Sequence, residues 1–207
     1  KCTRLVNFRN KISLKKRKSY LDQVYWGKPI SGFGDLNGNI IIIGLAPAAH
    51  GATRTGRVFT GDKSADFLFN CLFKSGLSNQ PNSDHINDGL KLKNTFITLA
   101  LRCVPPEDKP TKEELKNCSA FFKEELNMIK NKKVIVALGK IAFDACIKFY
   151  KENYGLMGSY KFGHGSKYDI NGLTIFGCYH PSPRNVNTKR INTTKMTYLF
   201  KKAKKLI

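Results

Sequence analysis

The side chains best suited to chemistry lie in a glycine-rich segment, residues 44–62, that follows four consecutive isoleucines. The segment contains two arginines, an imidazole, an aromatic ring and a carboxylate: His50, Arg54, Arg57, Phe59 and Asp62. Its glycines let the backbone approach a ligand closely, because glycine has no Cβ and tolerates positive φ. An unbroken β-branched run is typical of a strand buried on both faces of a parallel sheet. Since ligands bind beyond the carboxyl ends of such strands, we predict that this segment forms the floor of an active site.

Two further loops contain polar residues directly after apolar runs. His180 follows the run 173–178 and precedes Pro-Ser-Pro, which presents it rigidly, although a histidine in such a place is often only structural. Asp108 lies in a proline-containing loop, residues 103–108, that follows the run 95–101. Because all three loops leave the carboxyl ends of predicted parallel strands, we expect them to converge on one edge of the sheet.

The elements that position these loops alternate between strand and helix. Apolar runs predict strands at residues 40–43, 95–101, 134–138 and 173–178. Helical periodicity predicts helices at residues 65–74, 111–131, 141–150 and 193–206, with Ser64 capping the first and a Thr111–Glu114 capping box opening the second. A short helix is expected in the basic first 20 residues. This order predicts an α/β fold, a three-layer α/β/α sandwich around a central four-stranded parallel sheet, as a single domain over residues 1–207.

Charge is the strongest compositional signal. The chain has 36 Lys and Arg against 15 Asp and Glu, a formal net charge of +21, which favours a polyanionic partner such as nucleic acid. A thermophile or an AT-rich genome could also enrich lysine. No apolar run reaches membrane length and no signal peptide is visible, so we expect a cytoplasmic monomer without a membrane partner. The sequence starts at Lys1 without a methionine, and we expect a missing N-terminal piece.

The loop sequences resemble the two signature motifs of the family 5 (type B) uracil-DNA glycosylases. The first is Gly-Leu-Ala-Pro-Ala-Ala-His-Gly at residues 44–51 with residues 54–57 and 59–62, and the second is His-Pro-Ser-Pro-Arg-Asn at residues 180–185. Family 4 enzymes have Glu-Ala-Pro-Gly where this chain has Leu-Ala-Pro-Ala. The resemblance covers nearly the whole chain. It implies hydrolysis of the N-glycosidic bond of uracil in double- or single-stranded DNA, leaving an abasic site for base excision repair.

The resemblance also implies residue roles. Asp62 would activate water with help from Asp108, where relatives can have Asn, and His180 would stabilise the departing base through its O2. Leu99 lies where family 4 enzymes have a uracil-reading Asn, which implies a wider range of deaminated bases, such as hypoxanthine. The substrate-binding set would be Gly44, Ala46, Ala48, His50, Phe59 and Leu99. The DNA-binding set, which includes charged neighbours of the second motif, would be Arg54, Arg57, Ser182, Pro183, Arg184, Asn185, Lys189 and Arg190.

Plainer interpretations of these residues stay open. Asp62 could be a helix cap near Ser64, and Phe59 an ordinary core aromatic. The segment 56–64 also approaches a phosphate-binding P-loop, but Asp62 intrudes between its glycine and lysine, and we reject that interpretation. A DNA-binding protein without catalytic activity is the alternative function.

The six cysteines fall into two groups. Cys71, Cys146 and Cys178 occupy apolar positions and are expected to be buried. For Cys2, Cys103 and Cys118, the resemblance implies ligation of a [4Fe-4S] cluster, with a fourth cysteine expected just before residue 1. Zinc could use the same thiolates on chemistry alone. Without a secretory signal, a disulfide framework is not expected.

Overall fold

The computed structural model describes residues 2–170 and 172–207. Over these residues, helices alternate with strands as the sequence predicts. In chain order the elements are α1 (Thr3–Leu14), β1 (Phe33–Gly34), β2 (Ile40–Gly44), α2 (Ala52–Thr55), α3 (Lys63–Lys74), β3 (Thr95–Leu99), α4 (Lys112–Met128), β4 (Val134–Leu138), α5 (Lys140–Tyr154), β5 (Lys167–Ile170), β6 (Leu173–Cys178), α6 (Pro183–Asn187) and α7 (Thr193–Lys204).

One mixed sheet of six strands, in the order β1-β3-β2-β4-β6-β5, forms the centre of the fold. The four inner strands are parallel, as predicted, whereas β1 and β5 pair antiparallel at the two edges. The prediction of four strands is therefore wrong at the edges. A strand of two residues in a glycine-rich loop gives no apolar run, and β5 has exposed polar side chains that suit an edge strand.

The isoleucine run explains the three layers. Ile40 and Ile42 pack on one face of the sheet against α3 and α7, while Ile41 and Ile43 pack on the other face against α4 and α5. Successive side chains of a strand point to opposite faces, so a strand that is buried on both sides must be apolar throughout. The α/β/α sandwich is confirmed.

Strand register brings the functional loops to one edge. Gly44 of β2 pairs with Leu99 of β3, and Leu138 of β4 pairs with Cys178 of β6. The parallel inner strands therefore end at a common level. The loops after β2, β3 and β6 all begin there.

Helix ends differ from the predictions in detail. Asp62, not Ser64, is the N-cap of α3, so the prediction that Ser64 caps this helix is wrong. The Thr111–Glu114 capping box of α4 is confirmed, although the helix ends at Met128. Helix α5 continues to Tyr154, where Gly155 adopts the left-handed conformation (φ 63°) that ends it.

Helix α1 packs beside the sheet edge through a small third cluster that contains Leu5, Leu101 and Cys118. An ion pair of 2.7 Å between Arg4 and Glu114 joins α1 to α4. None of the helices in the described residues has the length and apolarity required to cross a bilayer.

Candidate active site

A cleft of about 690 Å³ opens at the carboxyl edge of the sheet. All three predicted loops contribute to it: the first through Ala48, His50 and Asp62, the second through Asp108, and the third through Pro183. The sequence-based expectation that these loops converge is confirmed.

Asp62 is both a helix cap and a cleft residue. Its Oδ1 accepts hydrogen bonds from the backbone N–H groups of Ser64 (2.9 Å) and Ala65 (3.0 Å). Its Oδ2 lies so close to Gly51 that a Cβ at that position would collide with the carboxylate. Burial raises the pKa of Asp62, while the two backbone hydrogen bonds oppose that rise. The arrangement holds one carboxylate in a single orientation at the cleft.

Asp108 approaches the cleft from a strained turn. Both Glu107 (φ 55°) and Asp108 (φ 57°) adopt the left-handed region, which non-glycine residues occupy at a cost of order 1 kcal/mol each. The Asp108 side chain is exposed. Backbone strain of this kind is concentrated at functional sites in proteins, so it marks the turn as a candidate part of the site.

Phe59 and His180 form an aromatic–imidazole pair at the carboxyl edge of the sheet. Their ring centroids are 5.9 Å apart, with an interplanar angle of 33°. Phe59 is 8% exposed and has φ 47°, so its backbone is also in the left-handed region. Gly44 permits this packing, because a Cβ there would lie 2.9 Å from Phe59 Cε2 and from Leu99 Cδ2. The ring of Phe59 is therefore held against the end of β2 and β3.

Burial lowers the pKa of His180 to about 4, so the imidazole is neutral at pH 7 and has one N–H to donate. The backbone of this residue is fixed from its own loop, since Asn185 Nδ2 donates to His180 O at 2.9 Å. The Asn185 side chain thus supports His180, although the sequence predicted that it would contact DNA.

The remaining predicted substrate-binding residues divide between two places. Nδ1 of His50 is hydrogen-bonded to the Tyr25 hydroxyl at 2.8 Å at the cleft, and burial lowers its pKa. Ala46, by contrast, packs with the third apolar cluster around Leu101 and Cys118. The contact of Ala46 with substrate stays a prediction, and its side chain packs with this cluster.

The two arginines of the first motif are occupied by the protein itself. Arg54 donates to His50 O (2.8 Å), Gln23 Oε1 (2.6 Å) and Gly61 O (2.7 Å), and its guanidinium stacks 4.1 Å from the Tyr20 ring centroid. It borders the cleft, but these contacts engage its donors and leave little capacity for DNA.

Arg57 is 5% exposed and forms a buried ion pair with Asp88 at 2.6 Å. Further hydrogen bonds join it to Thr60 Oγ1 and Ser83 Oγ, both at 2.9 Å. The sequence-based prediction that Arg57 contacts DNA is contradicted by this burial. The ion pair lowers the pKa of Asp88 to about 2, against the opposing effect of burial.

The second motif presents an exposed surface. Ser182 caps α6, with its Oγ accepting from Asn185 N at 3.4 Å, and Pro183 occupies the first turn. The exposed members of the predicted DNA-binding set are Pro183, Arg184, Lys189 and Arg190. Their side chains are placed where a phosphate could reach them.

Three cysteines from distant segments line a separate cavity of about 390 Å³. Each sulfur has an N–H nearby: Arg9 Nη1 donates to Cys103 at 3.0 Å, the backbone N–H of Arg102 to Cys118 at 3.2 Å, and Asn117 Nδ2 lies 3.7 Å from Cys2. Among residues 2–170 and 172–207, no three His, Cys, Asp or Glu side chains are arranged to hold a single metal ion. Cys71, Cys146 and Cys178 are buried in the two main cores, as predicted.

Sequence reasoning missed the contribution of Arg17, Tyr20 and Asp84 to the cleft. Arg17 belongs to a basic run, residues 15–18, that gave a charge signal but no position. Tyr20 and Asp84 gave no signal, because both reach the cleft only through contacts with residues more than 20 positions away.

Comparisons with known proteins all match this chain to uracil-DNA glycosylases. The family model of the uracil DNA glycosylase superfamily matches residues 31–204. The chain is 41% identical to the type-5 uracil-DNA glycosylase of Pyrobaculum aerophilum over 203 residues, covering 98% of this chain and 86% of that protein. The Thermus thermophilus type-5 enzyme is 40% identical over 207 residues, with coverages of 99% and 92%. A type-4 enzyme of Pyrobaculum aerophilum is only 26% identical, over 161 residues that cover 76% of this chain and 74% of that protein.

Proposed function

Because the chain belongs to the uracil DNA glycosylase superfamily, we propose that it removes uracil from DNA by hydrolysing the N-glycosidic bond, leaving an abasic site for base excision repair. One observation carries this proposal: a cleft-lining carboxylate, Asp62, and an aromatic–imidazole pair, Phe59 and His180, lie at the same edge of the sheet. A base that is extruded from the stack needs both an aromatic surface and a donor at its edge, and the sugar that it leaves needs a water.

On the base side, Phe59 would stack on the extruded uracil. His180 would donate its N–H to O2 of the base, where negative charge develops as the glycosidic bond breaks. A single preorganised donor of this kind contributes about 3 kcal/mol to stabilising the transition state. The low pKa of His180 supports this role, because a neutral imidazole stabilises an anion by hydrogen bonding without first needing a proton from solvent.

On the sugar side, Asp62 would orient and deprotonate the attacking water and would balance the positive charge that develops on the deoxyribose. A positioned general base typically contributes about 10²–10⁴-fold to a rate. Asp108 would assist from the strained turn, where its exposed carboxylate faces the same cleft. Only the ionised form of Asp62 can perform either task.

On the DNA side, the exposed residues of the α6 loop would press against the duplex and fill the space that the flipped base leaves. Ser182 and Pro183 would shape that loop, while Arg184, Lys189 and Arg190 would contact phosphates. The net charge of +21 supports an extended electrostatic contact with double- or single-stranded DNA.

We also propose that the base pocket accepts other deaminated bases, such as hypoxanthine. Leu99 is 1% exposed at the end of β3, next to Phe59, and offers no hydrogen-bonding group to the base. A pocket without a discriminating amide cannot reject a base for lacking the matching partner. The expected signature is release of hypoxanthine at a rate within an order of magnitude of uracil.

The three cysteine ligands fit a [4Fe-4S] cluster better than a single metal ion. Their sulfurs share one cavity and lie near N–H donors, which suits cluster thiolates. Thiolates that each bind a different iron need not converge on one point, whereas zinc ligands must. When bound, the cluster would serve as a covalent cross-link among α1, the loop after β3 and α4, with no part in the hydrolysis.

Anaerobic purification tests the cluster. The parent protein should be brown and contain iron, and Cys103→Ser or Cys118→Ser should bleach and destabilise it, because a cluster that joins distant segments contributes folding energy. Cys146→Ser, in the core away from this cavity, is the matched control and should keep its colour. Zinc without iron in the elemental analysis would refute the assignment.

The activity itself is tested with an oligonucleotide that contains one uracil. Incubation followed by hot alkali should cleave the strand at the uracil, and the same oligonucleotide with thymine should stay intact. Binding of the uracil oligonucleotide without alkali-sensitive sites would overturn the proposal and favour a DNA-binding protein without catalytic activity.

A further inference from the structure

The rim of the cleft has a second exposed surface, residues 17–26, which we call the rim strap. Within six residues it exposes three apolar side chains: Leu21 is 62% exposed, Val24 91% and Trp26 45%. Single exposed apolar residues are common on protein surfaces, but three in one short segment beside a cleft form a patch that suits a binding partner.

The rim strap is fixed to the first motif rather than free to fold back on itself. Arg54 of the first motif contacts the strap twice: it donates a hydrogen bond to Gln23 Oε1 (2.6 Å), and its guanidinium stacks on the Tyr20 ring. Trp26 N donates to Arg54 O at 2.9 Å, and Gly27 N donates to Thr53 O at 3.1 Å. These contacts anchor the backbone of the segment while Leu21, Val24 and Trp26 remain exposed.

Charge and position indicate the partner. Arg17 and Tyr20 line the same cleft as Asp62 and Pro183, so the strap and the α6 loop border one opening. The strap continues a run of four cations, residues 15–18, and Lys28 follows it. Asp22 is the carboxylate within the segment. An apolar patch flanked by cations matches a nucleic-acid groove, with its apolar sugars between two lines of phosphates.

We propose that the rim strap is a second DNA-contacting surface, which holds the duplex open beside the extruded nucleotide. This inference rests on the proposed function. Leu21 and Val24 would pack against sugars and unstacked bases of the flanking duplex, and Arg17 and Lys18 would contact phosphates. Apolar side chains that enter a groove compensate for lost base stacking, which costs a few kcal/mol per step.

The proposal makes a substrate-specific prediction. The double variant Leu21→Ser/Val24→Ser should lose about tenfold in kcat/KM on duplex DNA with uracil opposite guanine, as expected when two aliphatic side chains no longer bury apolar area. On a single-stranded uracil oligonucleotide it should lose less than about twofold, because no stack has to be opened. Initial rates at subsaturating concentrations of each substrate give kcat/KM and hence the ratio of the two losses.

Met157→Ser is the matched control, since Met157 is 83% exposed in the segment that follows α5. It should leave both rates unchanged. Because all three side chains are exposed, each variant should keep the parent's urea midpoint, which checks that the fold is intact. Release of uracil by the parent, with an unchanged duplex rate in the double variant, would overturn the strap proposal alone. A parent that releases no uracil from either substrate would overturn the proposed function.

A second pair of substitutions tests the charged part of the strap independently. Arg17→Gln/Lys18→Gln should reduce the magnitude of the salt slope of duplex binding by up to about 2, because each phosphate contact contributes about 0.9 to that slope. An unchanged slope would contradict the phosphate contacts. For the Leu21→Ser/Val24→Ser variant, an equal loss of kcat/KM on duplex and on single-stranded DNA would contradict the role of the strap in opening the duplex.

Discussion

Burial shifts the pKa values of two groups in the candidate site, His180 and Asp62, in opposite directions. We call Phe59, Leu99 and His180, which pack at the ends of the strands, the apolar wall of the candidate site, and Asp62 and Asp108, which line the cleft, its acidic wall. Burial disfavours charge on both walls, lowering the pKa of His180 and raising that of Asp62. On the acidic wall the protein opposes this effect with two backbone N–H groups at the start of α3, where the helix dipole also favours an anion. For His180 burial acts unopposed. The fold keeps charge where the proposed water activation needs it and removes charge where the departing base would be stabilised.

The largest expected effect comes from Asp62→Asn, which breaks the acidic wall alone. Asparagine caps helices as well as aspartate does, so α3 should keep its start and the protein its stability. Because the variant lacks the carboxylate that acts as general base, uracil release in single-turnover assays should slow by about 10²–10⁴-fold.

Asp62→Ala separates the two roles, since it should lose the same activity and, in addition, about 1 kcal/mol of stability with the cap. Asp144→Asn, an exposed carboxylate on α5, is the control. The rate of uracil release by the parent should fall as pH decreases through the pKa of Asp62. Because burial raises this pKa, the fall should occur at a higher pH than the pKa of an ordinary aspartate. Full activity of Asp62→Asn would leave Asp62 as a cap only.

His180→Ala breaks the apolar wall and should slow uracil release by about a hundredfold through loss of the anion-stabilising donor, with little effect on DNA binding. His85→Ala removes an exposed histidine and should leave the rate unchanged. Because the pKa of His180 is about 4, no inflection from this residue should appear between pH 6 and 8. A rate within a few-fold of the parent would make His180 structural.

Asp88→Asn tests the buried ion pair of the first motif, in the loop that also contains Phe59. It leaves Arg57 buried without its counter-charge, so urea denaturation should show a loss of about 3 kcal/mol. Glu152→Gln, in an exposed pair with Lys148, should show almost none. The pKa of Asp88 is lowered to about 2, so its ionic stabilisation is present above pH 4 and is lost as pH falls from about 4 to 2. Unchanged stability would contradict the buried pair.

The smallest effect concerns the surface beyond both walls. Lys189→Gln/Arg190→Gln should reduce the magnitude of the salt slope of DNA binding by up to about 2, equally for uracil-containing and undamaged duplexes, because phosphate contacts do not read the base. Lys148→Gln/Lys151→Gln on α5 removes the same charge elsewhere and should not change the slope. A loss confined to damaged DNA would instead tie these cations to the flipped nucleotide.

The sequence predicted the parts of the fold that depend on local pattern. The four apolar runs gave the inner strands, and the capping box gave the start of α4, because both signals lie within a few residues. The convergence of the loops followed from parallel topology alone. Strands β1 and β5 were missed because edge strands are short and partly polar.

What the sequence could not give depends on contacts between distant residues. The sequence predicted that Arg57 contacts DNA. Its ion pair with Asp88 could not be predicted, because the two residues are 31 positions apart and no local pattern joins them. Arg54 likewise fixes the rim strap through Gln23, which is equally distant in the chain. Asp62 was considered as either a cap or a catalytic group, and the structure shows that one oxygen can serve the helix while the carboxylate still borders the cleft.

The rim strap also contains the chain's only tryptophan, Trp26, whose half-exposed indole packs against Gly56 of the first motif, with Lys28 Nζ 5.3 Å from its ring centroid. The indole emission of this protein therefore comes from one known place at the edge of the cleft. Trp26 is therefore an intrinsic fluorescent probe. Its emission wavelength and its quenching by a solute such as iodide report on the environment of the strap. The arrival of a ligand at the rim can thus be timed separately from the chemistry that follows it.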